Sequence, residues 1–209
     1  MCKSGKGLKI KNIILDRDGT IIKDKNYLKD PKEVEFIKNS KEALKRLCQK
    51  GANLFIITNQ SGIGRGYFTV KDYLKVKEKI HLELKKEGIL IKDELFCSHS
   101  PDENCDCRKP KIGMWKELKK KHNLKEEESV IIGDKISDIE FGYNANLRFK
   151  ILVFTGYGKE EAKKIGIFKT LSKQPYEEIK DYKSFSLSNI PNLISKDLFC
   201  ATIWLEKYL

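Results

Sequence analysis

The sequence predicts an α/β fold in which helices cover both faces of a parallel sheet. Short apolar runs rich in β-branched residues alternate with longer segments of helical periodicity along most of the chain. Polar and glycine-rich residues follow several of these runs, at the strand ends where sheets of this class bind ligands. A chain of 209 residues is long enough to bury a substantial core and is most economically one domain.

Strands and helices are expected to alternate in the order that a parallel sheet requires. The apolar runs predict strands at Lys11–Asp16, Ala52–Thr58, Glu94–Cys97, Ser129–Gly133 and Phe149–Phe154. Segments with apolar residues three or four positions apart predict helices at Ser40–Lys50, Thr69–Lys86, Ile112–His122 and Ser137–Asn146. Because helices connect most of these strands, successive strands are expected to run in the same direction.

Local signals indicate where two of the helices begin. Thr69 followed by Asp72, and Ser137 followed by Glu140, resemble capping boxes. In that arrangement two side chains bond to backbone amides of the first helical turn, which have no partner within the helix. The sequence therefore predicts helix starts at Thr69 and Ser137.

One domain is predicted over residues 1–209, with its core at about 9–188. A loop at 97–107 and a helical tail at about 189–209 complete the domain. The polar connection Lys23–Phe36, after the first strand, is too short to form a separate lid. The apolar side chains of the tail either pack onto the domain or form a dimer contact, so a monomer and a homodimer are both left open.

The net charge of +12 is compatible with nucleic-acid binding, because basic surfaces attract phosphate backbones. Most of the basic residues, however, are lysines scattered among aspartates and glutamates. The chain has no basic tract interleaved with aromatic residues, of the kind that stacks single strands. A solvated, lysine-rich surface is the favoured interpretation, and nucleic acid is not the expected partner.

A cytoplasmic location without membrane association is predicted. No apolar stretch approaches the ~20 residues that a bilayer span requires, and residues 1–6 are polar, unlike a signal peptide. In that compartment the six cysteines indicate metal ligands or free thiols rather than disulfides.

Two aspartates, Asp16 and Asp18, stand at the end of the first apolar run and are followed by Gly19. Carboxylates held so close together repel each other unless a cation neutralises them, and a divalent cation does this most effectively. A plain strand followed by a turn explains an isolated Asp-x-Asp-Gly equally well. The functional interpretation therefore depends on the rest of the chain.

Three segments further along supply the other groups that phosphoryl transfer needs. Thr58 begins the stretch Thr-Asn-Gln-Ser-Gly-Ile-Gly-Arg-Gly, which offers a hydroxyl and backbone donors. Arg108 and Lys109 supply cations, while Asp134 and Asp138 add a second carboxylate pair. Because these segments occur in the order and context that this chemistry requires, a phosphate-binding catalytic site is predicted.

A cluster of cysteines and a histidine predicts a zinc site. Cys97, His99, Cys105 and Cys107 place four soft or borderline ligands within eleven positions. Four protein ligands suit a closed, tetrahedral, structural zinc site in a single loop. The alternative is a set of reduced, buried cysteines beside a surface histidine.

The catalytic segments resemble the motifs of the haloacid dehalogenase superfamily of phosphatases. The matching residues are Asp16-x-Asp18-Gly19-Thr20, Thr58, Lys109 and Gly133-Asp134-x-x-x-Asp138. The resemblance runs from about Lys11 to Gly156. It implies a three-layer, Rossmann-like fold with a parallel central sheet, helices on both faces, a zinc-binding loop and no large cap domain.

Within the superfamily, the glycine-rich stretch and the cysteine cluster resemble the D-glycero-D-manno-heptose 1,7-bisphosphate 7-phosphatases. These are cytoplasmic, magnesium-dependent enzymes with a structural zinc, and they serve nucleotide-heptose and surface polysaccharide biosynthesis. The short segment between His99 and Cys105 is more similar to the histidinol-phosphate phosphatases. The segment from Arg108 to Trp115 also resembles the phosphatase domain of polynucleotide kinase/phosphatases, which lack the cysteine cluster. A histidinol-phosphate phosphatase and a polynucleotide 3′-phosphatase are the alternatives.

The resemblance implies a role for each catalytic residue. Asp16 is expected to attack phosphorus and form an aspartyl-phosphate, with Asp18 as general acid and base. Thr58 and Lys109 are expected to hold the phosphoryl oxygens. Mg²⁺ is expected at Asp16, at the main-chain carbonyl of Asp18 and at Asp134, whereas Asp138 orients Lys109 or a metal-bound water, or caps its helix.

A small sugar phosphate is the substrate that the resemblance implies. Arg108, which follows the zinc loop, is expected to bind a second phosphate or hydroxyl groups in a bidentate manner. The remaining residues expected to contact substrate lie after the first, second and fourth strands: Asp24, Lys25, Asn26, Tyr27, Asn59, Gln60, Ser61 and Lys135.

Overall fold

The computed structural model describes residues 9–168, 171, 174–179 and 190–209. Seven strands of these residues form one sheet. The strands are β1 (Asn12–Leu15), β2 (Asn53–Asn59), β3 (Ile91–Cys97), β4 (Ser129–Gly133), β5 (Phe149–Val153), β6 (Tyr176–Glu178) and β7 (Leu193–Ser195). Their spatial order is β3-β2-β1-β4-β5-β7-β6, and every described pair is parallel except β6 with β7.

The strand β1 lies between β2 and β4. Leu15, its last residue, is paired with Ile56 on one side and with Ile132 on the other. All four residues of β1 are buried, as expected for an inner strand covered on both faces. The order of the chain reverses direction across the sheet at this strand, which is the position where open α/β sheets form a ligand-binding crevice.

Helices pack on both faces of the sheet. They are α1 (Ser40–Gln49), α2 (Ser61–Gly64), α3 (Val70–Lys86), α4 (Gly113–His122), α5 (Ile136–Asn144), α6 (Gly158–Lys164) and α7 (Leu198–Leu205). Ile13 and Leu15 of β1 share a core with α1, α3 and α7, whereas Ile14 packs in a second core with α4 and α5. This alternation follows from the two-residue repeat of a strand and produces three layers.

The predicted parallel α/β architecture is confirmed, and five strands lie where the sequence predicts them. Thr69 caps α3, with the reciprocal hydrogen bonds to Asp72 that define a capping box. The predicted start at Ser137 is wrong, because α5 begins at Ile136 with Lys135 as its N-cap. The carboxylate of Asp138 accepts the Lys135 N–H at 3.1 Å, so an aspartate, not the serine hydroxyl, satisfies the free amide.

The segment predicted as a helical tail is helical only in part. It begins with the strand β7, which pairs with β5, and only then continues into α7. Leu193 and Ile194 are buried in the sheet, and α7 packs against α1. The three-residue strands β6 and β7, with the short helices α2 and α6, were not predicted, because each is too short to show a periodic pattern. Residues 169–170, 172–173 and 180–188 of the predicted core, and residue 189 of the predicted tail, lie outside the described residues.

The connection after β1 contains one short 3-10 helix, Pro31–Glu33, and no other helix. This agrees with a fold that has no large cap domain. Among the described residues, none of the helices combines the length and the apolar composition that a membrane span requires.

Candidate active site

Three buried carboxylates meet at the carboxyl edge of the sheet. Asp16 follows β1, Asp134 follows β4, and Asp138 lies in the first turn of α5. One oxygen of each lies within 4.8 Å of those of the other two, and the residues are exposed by only 5%, 0% and 1%, respectively. Since neighbouring parallel strands end at the same edge, Asp16 meets Asp134 and Asp138, which lie more than a hundred positions further along the chain.

The ammonium group of Lys109 lies among these carboxylates. Its Nζ is 2.5 Å from Asp16 Oδ1 and 2.6 Å from Asp138 Oδ1, and it also donates to the carbonyl of Ile57 at 3.1 Å. Asp138 therefore contacts the Lys109 ammonium and also accepts the amide of Lys135 at the start of α5; its predicted role of orienting Lys109 or a metal-bound water stays a prediction.

The main chain at Lys109 is held by Asn59. The side-chain amide of Asn59 donates to the Lys109 carbonyl at 3.1 Å, and its oxygen accepts the Lys109 N–H at 3.0 Å. Asn59 is the last residue of β2, whereas Lys109 lies in the long loop that follows β3. This pair of hydrogen bonds attaches that loop to the edge of the sheet and directs the lysine inward.

Asp134 is enclosed by backbone rather than by large side chains. Its Oδ2 accepts the N–H of Tyr157 at 2.8 Å. A Cβ atom on Gly19 or on Gly156 would lie 2.2 Å or 2.1 Å from the same oxygen, so glycine is required at both positions. The other oxygen, Oδ1, is buried and has no hydrogen-bond partner among the described residues. A buried carboxylate oxygen left in this state is what a divalent cation would satisfy.

The electrostatics of the cluster also favour a cation. Burial raises the pKa of Asp16 to about 6, although Lys109 opposes the rise. Burial likewise raises the pKa of Asp134 to about 8, and the Asp16 carboxylate adds to this effect. For Lys109, burial favours the neutral amine, but Asp138 and Asp16 outweigh it, so the pKa is raised. The pKa of Lys135 is raised in the same way, mainly by Asp16 and Asp134, which overcome burial.

Asp18 lies in a different environment from Asp16. Arg17 donates from Nε to Asp18 Oδ2 at 3.0 Å and from Nη2 to Oδ1 at 3.2 Å. Gln60 donates to Asp18 Oδ2 at 2.8 Å, and the Thr58 hydroxyl lies 3.4 Å from the same oxygen. The Asp18 carboxylate is thus held by the cationic Arg17 beside it and by uncharged donors at the end of β2.

A polar cavity of about 170 Å³ opens beside Asp18. Polar residues from the loops after β1, β2 and β4 form most of its wall. The lining residues are Asp18, Asp24, Asn26, Tyr27, Leu28, Asn59, Gln60, Ser61, Gly62, Lys135 and Tyr157. Its size and its convergent polar groups are suited to a small, hydrophilic ligand.

Most of the residues predicted to contact substrate line this cavity, and two do not. Lys25 points to Glu35, with Nζ 3.1 Å from Oε2, on the exposed side of its loop. Arg108 lines a separate groove with Asn104 and Pro110, and its buried Nη1 has no hydrogen-bond partner among the described residues. The roles predicted for these two residues stay predictions.

Tyr157 lines the cavity but was not predicted from the sequence. Its N–H binds Asp134, its hydroxyl donates to Asn26 Oδ1 at 3.1 Å, and Lys135 Nζ lies 4.9 Å from the centre of its ring. Lys135 also pairs with Asp24 Oδ2 at 3.2 Å, so the loops around the cavity are linked to one another. The signal in the sequence was Thr-Gly-Tyr-Gly directly after the apolar run of β5.

The cysteine cluster has the shape of a tetrahedral metal site. Cys97 Sγ lies 3.0 Å from Cys107 Sγ, 3.5 Å from Cys105 Sγ and 3.6 Å from His99 Nδ1. Cys107 Sγ lies 3.3 Å from His99 Nδ1 and 3.5 Å from Cys105 Sγ. A zinc ion bonded to sulfur at ~2.3 Å places tetrahedral ligand atoms ~3.8 Å apart, so these separations need only a slight expansion. The residues therefore fit a closed zinc site.

The geometry agrees with comparisons to known proteins. Residues 11–154 match the sequence model of a family described as polynucleotide kinase 3 phosphatase. A HAD-like phosphatase from Mesorhizobium loti has a similar structure, with a TM-score of 0.65 and 33% identity over 70% of this chain and 73% of that one. The chain belongs to the polynucleotide kinase 3 phosphatase family of haloacid dehalogenase phosphatases. It is thus a phosphoric monoester hydrolase.

Several relatives of this phosphatase have named activities. A D-glycero-β-D-manno-heptose-1,7-bisphosphate 7-phosphatase from Helicobacter pylori is 42% identical over 68% of the chain and 83% of its own length. The enzyme of Photorhabdus laumondii named for the α-anomer is 38% identical over 73% and 87%. A D,D-heptose 1,7-bisphosphate phosphatase from B. bronchiseptica, solved with magnesium and phosphate, gives a TM-score of 0.79 at 26% identity, covering 96% of this chain and 100% of its own.

Proposed function

We propose that this phosphatase removes the 7-phosphate of D-glycero-D-manno-heptose 1,7-bisphosphate in a magnesium-dependent reaction that passes through an aspartyl-phosphate. One observation carries the proposal: a small polar cavity, lined by two carboxylates, three side-chain amides and a lysine, opens beside Asp18, two residues from Asp16 of the buried cluster. The names of the relatives at 38% and 42% identity support the choice of substrate. A cytoplasmic location and a place in surface polysaccharide synthesis belong to the same proposal.

In this mechanism, Asp16 is the nucleophile. An ionised carboxylate oxygen attacks phosphorus in line with the leaving oxygen, and the P–O bond to the sugar breaks. Lys109, 2.5 Å from Asp16 Oδ1, keeps the carboxylate ionised and neutralises part of the charge that the phosphoryl group brings. Asp138 fixes the lysine for this role through its own contact of 2.6 Å.

Asp18 acts as the general acid in the first half of the reaction and as the general base in the second. It donates a proton to the departing sugar oxygen and afterwards accepts one from the water that hydrolyses the aspartyl-phosphate. Such proton transfer contributes about 10²–10⁴-fold to a rate. Its position on the cavity wall, two residues from Asp16, supports this assignment.

The transferred phosphoryl group needs donors for its equatorial oxygens. The Thr58 hydroxyl, 3.4 Å from Asp18 Oδ2, and the Lys109 ammonium, which contacts Asp16, are proposed to supply them. Mg²⁺ would fit between Asp16 and Asp134, because Asp134 Oδ1 is buried with no hydrogen-bond partner in the described part of the chain and Asp16 is close enough to share an ion with it. When bound, the ion neutralises charge between the carboxylates and the phosphate.

The zinc ligands have a structural role in this proposal. Four protein ligands leave no open coordination position for substrate or water. Cys107 lies two residues before Lys109, so an ordered cluster fixes the chain just before the catalytic lysine. Asp24, Asn26, Tyr27, Ser61 and Lys135 line the cavity and are proposed to bind the sugar and its second phosphate.

The decisive experiment is a comparison of Asp16→Asn with the unchanged enzyme, using heptose 1,7-bisphosphate and Mg²⁺. Phosphate release is expected to fall by several orders of magnitude in the variant, because the amide cannot form the phospho-enzyme. Asp197→Asn, at the N-cap of α7 and far along the chain from the catalytic motifs, is the matched control and should retain full turnover. Full turnover by Asp16→Asn would refute the assigned nucleophile.

A polynucleotide 3′-phosphatase is the second candidate function, favoured by the description of the matching family and by the net charge of +12. The two candidates are distinguished by comparing kcat/KM for heptose bisphosphate, histidinol phosphate and an oligonucleotide 3′-phosphate. A nucleic-acid enzyme should prefer the oligonucleotide, and its kcat/KM should fall steeply as salt is added. The sugar-phosphate proposal predicts the opposite preference and a weak dependence on salt.

A further inference from the structure

Arg17 stands between the two catalytic aspartates in sequence, yet its side chain turns into the protein. The residue is only 1% exposed and is among the largest fully buried side chains of the described residues. A buried guanidinium is costly unless its charge is paired and its N–H groups are bonded. Two nitrogens of Arg17 donate to the carboxylate of Asp18, at 3.0 Å and 3.2 Å, whereas the buried Nη1 has no hydrogen-bond partner among the described residues.

The guanidinium also lies against an aromatic ring that is bonded to a second buried acid. Its central carbon lies 5.3 Å from the centre of the Tyr73 ring, on α3. The Tyr73 hydroxyl donates to Glu94 Oε1 at 2.7 Å, and His81 Nε2 lies 2.6 Å from Glu94 Oε2. The side chain of Glu94, on β3, is fully buried.

Glu94 has the properties of a counter-charge for Arg17. Burial by itself would raise the pKa of Glu94, but the hydrogen bond with His81, the charge of Arg17 and the hydrogen bond from Tyr73 outweigh it, and the pKa is lowered. A single carboxylate at Asp18 would draw the arginine toward the cavity. Glu94 attracts the guanidinium through its negative charge and is joined to it by Tyr73, whose ring lies against Arg17 and whose hydroxyl binds Glu94.

We propose that Arg17, supported by Tyr73 and Glu94, is a positioning residue that sets the orientation of Asp18 for proton transfer to the leaving group. The planar guanidinium bonds both oxygens of Asp18, so it fixes the rotation of the carboxylate as well as its place. Gln60 donates to Asp18 Oδ2 only and leaves that rotation free. This inference rests on the proposed function, because it requires Asp18 to be the general acid.

The role can be separated from a purely structural one by the choice of leaving group. A sugar alkoxide is a poor leaving group and needs a proton from Asp18, whereas p-nitrophenolate leaves without one. For both esters, kcat/KM reports the steps up to phosphorylation of Asp16. Loss of general-acid positioning therefore lowers kcat/KM for the sugar phosphate far more than for p-nitrophenyl phosphate, while general loosening of the site lowers both alike.

The test measures kcat/KM on both esters for Arg17→Lys, Glu94→Gln and Asp18→Asn. Lysine keeps the charge of Arg17 but loses the planar pair of donors. Glutamine keeps the shape of Glu94, which is not among the residues that line the cavity. Glu94→Gln therefore tests the support of Arg17 even if Arg17→Lys fails to fold. The matched control is Asp93→Asn, because Asp93 is the residue next to Glu94 on β3. Like Glu94, its carboxylate contacts a histidine, His122, at 2.9 Å.

We expect Arg17→Lys and Glu94→Gln to lose about tenfold or more on the sugar phosphate, a part of the general-acid contribution, and little on p-nitrophenyl phosphate. Asp93→Asn should keep both rates. Equal losses on the two esters in Glu94→Gln, or unchanged rates, overturn the inference. The proposed function stays intact in that case, provided that Asp18→Asn lowers kcat/KM more for the sugar phosphate than for p-nitrophenyl phosphate. If Asp18→Asn itself shows no preference between the esters, the role proposed for Asp18 is wrong and the inference fails with it.

Discussion

At the scale of single residues, the site depends on which groups contact each carboxylate. Asp16 and Asp18 are two positions apart, yet Asp16 meets an ammonium group in a buried cluster and Asp18 meets a guanidinium and an amide on a cavity wall. This difference in environment suits one aspartate to attack phosphorus and the other to transfer protons. The distinction comes from Lys109, Arg17 and Gln60, which reach the pair from three different segments of the chain.

The raised pKa values of Asp16 and Asp134 predict how stability depends on pH. Both carboxyls hold their protons more tightly in the folded state, with pKa values of about 6 and about 8. In the metal-free protein, their contribution to the free energy of unfolding is therefore fully present below pH ~4 and is lost as the pH rises toward ~8. Mg²⁺ needs the ionised carboxylates, so its stabilising effect should increase over the same range.

The measurement is the melting temperature with and without Mg²⁺, across pH ~5 to ~8. At about 100 times its Kd, the ion is expected to stabilise the protein by about 2.7 kcal/mol at the high-pH end and by much less at the low end. Asp134→Asn should abolish most of this response. A magnesium effect that is independent of pH would show that the ion binds elsewhere.

Gly19 offers a second test of the metal site at the residue scale. Its φ is +88°, and an added Cβ would lie 2.2 Å from Asp134 Oδ2. Gly51 is the matched control, because its φ is +81° but an added Cβ would meet nothing within 4 Å. Alanine at either position should cost about 1–2 kcal/mol for the left-handed backbone. We expect only Gly19→Ala to weaken Mg²⁺ activation as well, measured as the Mg²⁺ concentration at half-maximal rate.

At the scale of elements, the site is assembled from the residues that directly follow parallel strands. β1, β2 and β4 end at one edge of the sheet and place Asp16, Asn59 and Asp134 there, while the loop after β3 brings Lys109. That loop has no regular structure beyond a short 3-10 helix, so the cysteine cluster and the two bonds to Asn59 contribute to its order, together with hydrogen bonds from Gly64 and Asn144.

The zinc site proposed at the cysteine cluster predicts an effect at this scale that activity assays can detect. Cys107→Ser should lose the zinc proposed to bind there. Where free zinc is about 1,000 times its Kd, the free energy of unfolding should fall by about 4 kcal/mol. Because the segment before Lys109 becomes less ordered, kcat/KM should fall as well. The control is Cys200→Ser on α7, a free cysteine outside the cluster. Metal analysis and thermal unfolding give the result. Unchanged zinc content in Cys107→Ser would contradict the assigned ligands.

At the scale of the whole molecule, the C-terminal segment is part of the core. Trp204 on α7 packs edge-on against Phe149 at the start of β5, with ring centres 5.0 Å apart, and its Nε1 donates to Glu178 at 2.7 Å. Tyr208 accepts the N–H of Ile10 at its carbonyl, at 2.7 Å. These contacts lie at the amino edge of the sheet, opposite the catalytic edge, and they join the end of the described chain to its beginning.

The position of Trp204 predicts a loss of stability without a loss of chemistry. Trp204→Ala should lower the free energy of unfolding by about 3–5 kcal/mol, since the residue is 2% exposed and leaves a cavity. Ile203→Ala, the adjacent residue with 39% exposure, is the control and should cost far less. Denaturant unfolding gives the stabilities. Below the melting temperature, kcat should be unchanged in both variants, and a large fall in kcat for Trp204→Ala would contradict the separation of the two edges.

The sequence by itself determined the alternation of strands and helices, the carboxylates after β1 and β4, and the spacing of the cysteine cluster. These follow from local physics: side-chain periodicity, turn chemistry and the short reach of neighbouring ligands. The tertiary structure alone decided that Asp138 binds Lys109, that Tyr157 joins the cavity, that Arg17 turns inward against Tyr73 and that residues 193–195 extend the sheet. Each of those contacts joins segments that are distant in sequence. Such segments meet only when the packed layers bring the ends of the strands together.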